Sequence, residues 1–270
     1  MKEDTDMRIH TLGTAHGDST WYRHCSSTLY ETPDGALYLI DCGAPAEALV
    51  RRKGLLIRDI RALFITHMHE DHTGGLTGVV KNTLKYPGES DRPLILHFPE
   101  ERAIEPFRNW LFAMHINADR PLLAWAAVQE GPVYEDENVA VRAIRTRHLT
   151  DRDGNPVSFA YHLHFKAENL DVLHSGDLRG DFSDFPAEAQ TRHFDACVCE
   201  ATHYRPENAV DTLARCRFDL LIFTHVADRW HNYPQPGPYY VNNERKLIES
   251  YAGKLPYPIR VAHDGDEFLL

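Results

Sequence analysis

Thr66-His67-Met68-His69-Glu70-Asp71-His72-Thr73-Gly74-Gly75 sets three imidazoles and an aspartate within six residues. The apolar run Ala62-Leu63-Phe64-Ile65 precedes it and reads as a buried strand, while Gly74-Gly75-Leu76 opens a segment able to start a helix. The pattern H-x-H-x-D-H therefore sits on a strand-to-helix turn. Neutral imidazole suits zinc, iron or nickel, and a carboxylate also suits manganese. A turn can aim alternate side chains the same way, so His67 and His69 can share one metal. Asp71 and His72, past the bend, can face a second.

The flanking chain has the size and balance of one large α/β domain spanning residues 1–270. Apolar residues make up 43% of it, enough for a sizeable core, and no run of eighteen apolar residues suggests a membrane span. The polar, acidic start at Met1–Asp6 lacks the apolar centre of a signal peptide. Cys25, Cys42, Cys197, Cys199 and Cys216 are odd in number and irregular in spacing, which fits reduced thiols in a cytoplasm. Cys197 and Cys199 lie in an apolar run and read as core thiols. The net charge of −11 argues against a long polyanionic partner such as a nucleic acid and for a small substrate, although Arg145 and Arg147 stand close to His148 and could reach an anion.

Taken in order, Met7–Leu12, Ser26–Glu31 and Ala36–Ile40 read as strands, with a turn at Pro33-Asp34-Gly35. Ala46–Lys53 reads as a helix, Pro93–Phe98 as a strand, and Glu100 to about Ala127 as helical, broken near Pro121. Val139–Arg145 and Ser158–Phe165 make a hairpin, with His148 beyond the end of its first strand. Further strands are expected at Leu170–His174, Ala196–Cys199, Phe218–Phe223 and after Ile259, and helices at Pro206–Arg215 and Asn243–Tyr251. Two strand-rich halves, each followed by helices, predict two packed sheets covered by helices. His67, His148, Asp177, Glu200 and His225 all follow apolar strands, where α/β proteins place chemistry.

These features resemble the metallo-β-lactamase superfamily over nearly the whole chain, with H-x-H-x-D-H as the signature. His148, the Ser-Gly-Asp ending at Asp177 and the Phe-Thr-His ending at His225 are similar to its later ligand motifs. The resemblance implies a four-layer αββα sandwich with two divalent metal ions, Zn2+ first, Mn2+ or Fe otherwise, at one edge of the sheets. It assigns His67, His69 and His148 to one metal, Asp71, His72 and His225 to the other, and Asp177 as the bridge. An aspartate bridge resembles hydrolases of phosphodiesters, lactones and thioesters rather than true β-lactamases, which carry cysteine there.

Asp41-Cys42-Gly43, Glu200-Ala201-Thr202 and Ala262-His263-Asp264-Gly265 look most like the tRNase Z and cyclic phosphodiesterase branch. That implies a phosphodiesterase of a small substrate, with Asp71 in the catalytic set and His203, paired with Glu200, as general acid. A lactone, ester or thioester hydrolase on the same site is the alternative, and a non-catalytic metal-binding protein the other. No glycine-rich arm of the sort that grips tRNA is found. Asp41, Asp264 and Glu70 are candidates for orienting metal-binding imidazoles. His10, His97, His162 and His164 read as structural, and His174 as a neighbour of the site. His16, His24 and His231, with Trp21, Tyr22 and Trp230, could line its pocket. A homodimer is the expected assembly.

Overall fold

The computed structural model describes residues 6–20, 22–86, 92–226 and 244–270. Trp21, Trp230 and His231, named above as pocket residues, lie outside them. The first half supplies β1 (Arg8–Gly13), β2 (Ser27–Glu31), β3 (Leu37–Ile40), α1 (Ala46–Arg52), β4 (Ile60–Phe64), α2 (Glu70–Thr73), α3 (Leu76–Lys85), β5 (Leu94–Phe98), α4 (Ile104–Ala113) and β6 (Leu123–Ala127). The second supplies β7 (Gly131–Glu135), β8 (Val139–Thr150), β9 (Pro156–Phe165), β10 (Leu170–His174), β11 (His193–Glu200), α5 (Pro206–Leu213), β12 (Arg217–Thr224), α6 (Glu244–Tyr251), β13 (Ile259–Val261) and β14 (Asp266–Leu269).

Two seven-stranded sheets result, ordered β14-β1-β2-β3-β4-β5-β6 and β13-β12-β11-β10-β9-β8-β7. Their alternation explains the layers. On β3, Tyr38 and Ile40 join the cluster between the sheets, whereas Leu37 and Leu39 join the cluster under α1 and α3. On β11, Ala196 and Val198 face the inter-sheet core, and Cys197 and Cys199 the cluster that includes Leu213 and Leu247 of the covering helices. Strands apolar on both faces need cover on both, and the result is helix, sheet, sheet, helix. The thiols are free and buried, as expected. No helix among the described residues is long and apolar enough to cross a membrane.

Three expectations need correction. Leu123–Ala127 is a strand, not the end of a helix: it pairs in parallel with β5, Leu96 opposite Trp125, so sheet pairing overrides the helix-forming alanines. Gly131–Glu135, which had no element assigned, pairs antiparallel with β8. And β8 runs on to Thr150, so His148 lies within the strand, inside a register irregularity between Thr146 and Thr150. Such an irregularity re-aims the side chains within it.

Candidate metal centre

The site is assembled at one edge of both sheets from strand ends and the turns that follow. After β4, Thr66 anchors the His-rich turn. Its amide donates to Asp41 Oδ1 at 2.8 Å, and its hydroxyl lies 3.0 Å from His67 Nδ1. Asp41, after β3, takes a left-handed backbone (φ 58°) and accepts from His72 Nδ1 at 2.7 Å. This fixes the His72 tautomer and leaves Nε2 for the site. Gly43 must be glycine because a Cβ there would meet the Asp71 carbonyl oxygen at 2.2 Å.

After β10, Gly176 has φ +58°, and a Cβ there would lie 2.7 Å from the Phe159 carbonyl oxygen. This close approach lowers Asp177 between the imidazoles. After β12, His225 is also left-handed (φ 53°). That conformation costs a non-glycine residue about 1–2 kcal/mol, and the Thr202 hydroxyl holds it by donating to the His225 carbonyl.

Four groups of donor atoms among the described residues are compact enough to hold a cation. Two carry the seven expected ligands: His67, His69, His148 and Asp177 form the first, Asp71, His72 and His225 the second. A third, Asp177, Glu200, His203 and His225, overlaps them, and the fourth, His193, Asp195 and Asp219, lies elsewhere. Within the first, His67 Nε2 lies 2.9 Å from His69 Nδ1, and His148 Nε2 is 3.6 Å from Asp177 Oδ2. His148 Nδ1 sits 3.2 Å from the Leu178 carbonyl, which orients the ring. Within the second, His225 Nε2 is 3.2 Å from both His72 Nε2 and Asp71 Oδ2. Asp177 touches both sets: Oδ2 is 3.5 Å from the Nε2 atoms of His67 and His72, and Oδ1 is 3.5 Å from that of His225. All seven predicted ligands therefore converge.

The electrostatics suit a cation. Burial pushes His67, His69 and His148 below the ordinary imidazole range, towards the neutral ligand form. Burial alone would raise Asp177, yet His225, His72 and His203 hold it well below the carboxylate range. Burial would lower His72, but Asp177 and Asp41 keep its proton on. Binding a cation would replace that proton. His148 Nε2 is buried with no hydrogen-bond partner, an orphan that a metal would satisfy.

Glu200, the last residue of β11, is buried. Its Oε1 accepts from the Leu178 amide at 2.8 Å and its Oε2 from the Thr202 and His203 amides at 2.9 Å. His203 Nδ1 stands 3.1 Å from both oxygens. Burial works against the His203 proton, but Glu200 and Asp177 outweigh it and lift the ring to about 9. The ring is 4.5 Å from that of His148 and 5.3 Å from that of His225, so it borders both sets.

Of the three carboxylates expected to orient imidazoles, only Asp41 does so. Asp264 instead accepts from Thr14 and His24, and the Glu70 carboxylate lies against Gly74. His174 bonds Tyr30, 3.0 Å away, rather than a site residue. Arg145 donates to the Pro156 carbonyl and lies 4.8 Å over the Phe159 ring, while Arg147 is exposed and its amide is held by Asp184. His16 is buried edge-on to His225 at 6.0 Å. Sequence reasoning missed Thr66, Thr202 and the Gly17 amide, which donates to Asp71 Oδ2 at 2.9 Å. A hydroxyl or an amide carries no motif of its own, and only the register of the flanking strands could have pointed to them.

Solved structures share this architecture. The metallo-β-lactamase fold protein YhfI from Bacillus subtilis matches with a TM-score of 0.73 and 14% identity over 99% of this chain and 100% of that one. The short form of human tRNase Z matches with a TM-score of 0.69 and 19% identity over 97% and 98%. Ribonuclease Z of Pseudomonas putida is 34% identical over 148 residues, 53% of this chain and 44% of that protein. The chain thus spans about half the length of the curated relatives it matches. The fold is the metallo-β-lactamase fold, as the four layers suggested. The model of the family described as anti-Pycsar protein Apyc1 matches residues 7–203, from β1 through His203, and to that family this chain belongs.

Proposed function

We propose that the chain is a phosphodiesterase of a small substrate, a nucleotide or similar phosphodiester, working with two divalent ions, Zn2+ in the first place. The observation that carries this reading is Asp177, whose two oxygens lie within 3.5 Å of His67, His72 and His225 and so span both donor sets. In it His67, His69 and His148 would hold one ion and Asp71, His72 and His225 the other, with Asp177 serving both. Two divalent ions held so supply Lewis acidity and a water that is acidic near neutral pH.

The chain's own residues do the rest. Asp41 and the Leu178 carbonyl keep His72 and His148 in register. Glu200 keeps His203 charged and turned towards the site. As water adds to phosphorus, shedding one proton to solvent, and the bond to the leaving oxygen breaks, His203 gives that oxygen its proton and regains one from solvent. A well-placed acid contributes roughly 10²–10⁴-fold. Ribonuclease Z, yeast PDE1 and a diphosphatase of the PhnP family are similar in sequence or fold, which favours phosphoryl chemistry. The charge of −11 favours a small substrate over a long RNA. The free buried thiols suit a reducing cytoplasm. Assembly as a homodimer belongs to the same reading and is checked by light scattering.

Elemental analysis of the reconstituted protein, beside a screen of cyclic and linear phosphodiesters, lactones and an RNA, tests it. Two metals per chain and turnover of the small phosphodiesters are expected. Asp177→Ala should lose metal and turnover together. A protein that takes no metal, or one that turns over only lactones, ends the reading.

A further inference from the structure

Loop 13–25 reaches the carboxylate and one imidazole of the second donor set, Asp71 and His225. The Gly17 amide donates to Asp71 Oδ2, the oxygen that also faces His225 Nε2. Ala15 bridges Val226, and the Val226 amide, next in the chain to His225, donates to the Thr14 carbonyl at 2.8 Å. The left-handed backbone of His225 is thus gripped on one side by Thr202 and on the other by Thr14.

Thr14 is itself fixed from a distant part of the chain. Asp264 Oδ1 accepts from its amide at 2.9 Å and from its hydroxyl at 2.6 Å, and the hydroxyl accepts from Arg23 Nη1 at 2.6 Å. Asp264 Oδ2 accepts from the His24 amide at 2.5 Å, and the His24 carbonyl in turn accepts from Ala15. One carboxylate between β13 and β14 therefore ties both ends of the loop. The residues of the first set are braced otherwise: His67 by Thr66 and His148 by the Leu178 carbonyl.

We propose that Asp264 is a positioning residue that sets the affinity of the second metal site, Asp71–His72–His225, without acting on the first. The proposal rests on the dinuclear reading above. Its chemistry is specific. Every partner of the Asp264 carboxylate is a donor, so the isosteric Asp264→Asn must set an NH2 against either the Thr14 or the His24 donors, whichever way its amide turns. Thr14→Val removes a hydroxyl that both donates and accepts, and leaves the carboxylate in place.

The test is a Zn2+ titration of the metal-free full chain against a chromogenic chelator, repeated with Co2+ and followed by visible absorbance, on wild type, Asp264→Asn and Thr14→Val. Wild type should bind two ions. Each variant should bind the first as wild type does and the second about tenfold or more weakly, within the usual span for residues that orient ligands. Wild type binding fewer than two ions would sink the dinuclear reading itself. Wild type binding two while both variants match it would sink only the role of Asp264. Equal weakening of both sites overturns the proposal too, because the clamp would then only support the fold. If Asp264→Asn does not fold, Thr14→Val decides alone. If neither folds, the clamp has no separable hold on the second site, and the proposal falls.

Discussion

His203 combines features that a plain helix-capping histidine lacks. Its Nδ1 lies 3.1 Å from a buried carboxylate, its ring borders both donor sets, and its proton is held to about 9. His203→Ala should keep both metals and the fold. It should lose roughly 10²–10⁴-fold in kcat on a phosphodiester with a poorly departing alkoxide. The loss should shrink with a nitrophenolate, which leaves without a proton. Equal small losses with both substrates would remove His203 from the mechanism. At this scale the sequence was most informative. The seven residues that converge there were legible because H-x-H-x-D-H is a dense cluster of donors and the other three belong to motifs that end apolar strands. Asp264 was misjudged because spacing shows that a carboxylate stands at a turn but not which donors face it.

Among the elements, β5 carries a polar residue in an apolar setting. His97 stacks on Phe64 at 4.7 Å, meets Tyr134 edge-on at 5.8 Å, and neither ring nitrogen has a hydrogen-bond partner among the described residues. Burial lowers it from 6.5 to about 4. The unfolded chain therefore takes up a proton at this position before the folded chain does. Stability due to neutral His97 is complete above pH 6.5 and is lost as pH falls towards 4. The loss is about 3 kcal/mol at full extent. In metal-free protein, His97→Leu should flatten this part of the stability curve relative to wild type in urea unfolding at stepped pH. An unchanged slope would mean that the ring escapes the core on protonation. Elements whose apolar period was clear, such as β3, β4 and β10, were legible in sequence. Leu123–Ala127 was not, because Ala124, Ala126 and Ala127 suit a helix and only the neighbouring β5 makes them a strand.

The whole molecule places its candidate metal-binding residues on both sheets. His67, His69, Asp71 and His72 follow the first sheet's β4, while His148, Asp177 and His225 come from the second. Cations bound there would join the sheets at that edge. Stripping them should lower Tm, with the loss growing as the free metal concentration used beforehand exceeds Kd, about 2.7 kcal/mol per site at a hundredfold excess. Scanning calorimetry with and without chelator measures it, and an unchanged Tm would show that the inter-sheet core alone sets stability. Two strand-rich halves were enough to foresee four layers. A last strand was expected, but its return to pair with β1 was not, since nothing in Asp266–Leu269 names a partner at the other end of the chain.

That return has a bearing on how the molecule is born. The partners of the first donor set are all synthesised once Asp177 has left the ribosome, those of the second only with His225, and the Asp264 clamp comes later still. A nascent chain would thus become competent for one ion well before the other, and β1 would wait with an open edge until β14 is made. Metal supplied during translation and metal supplied afterwards would then meet two different acceptors.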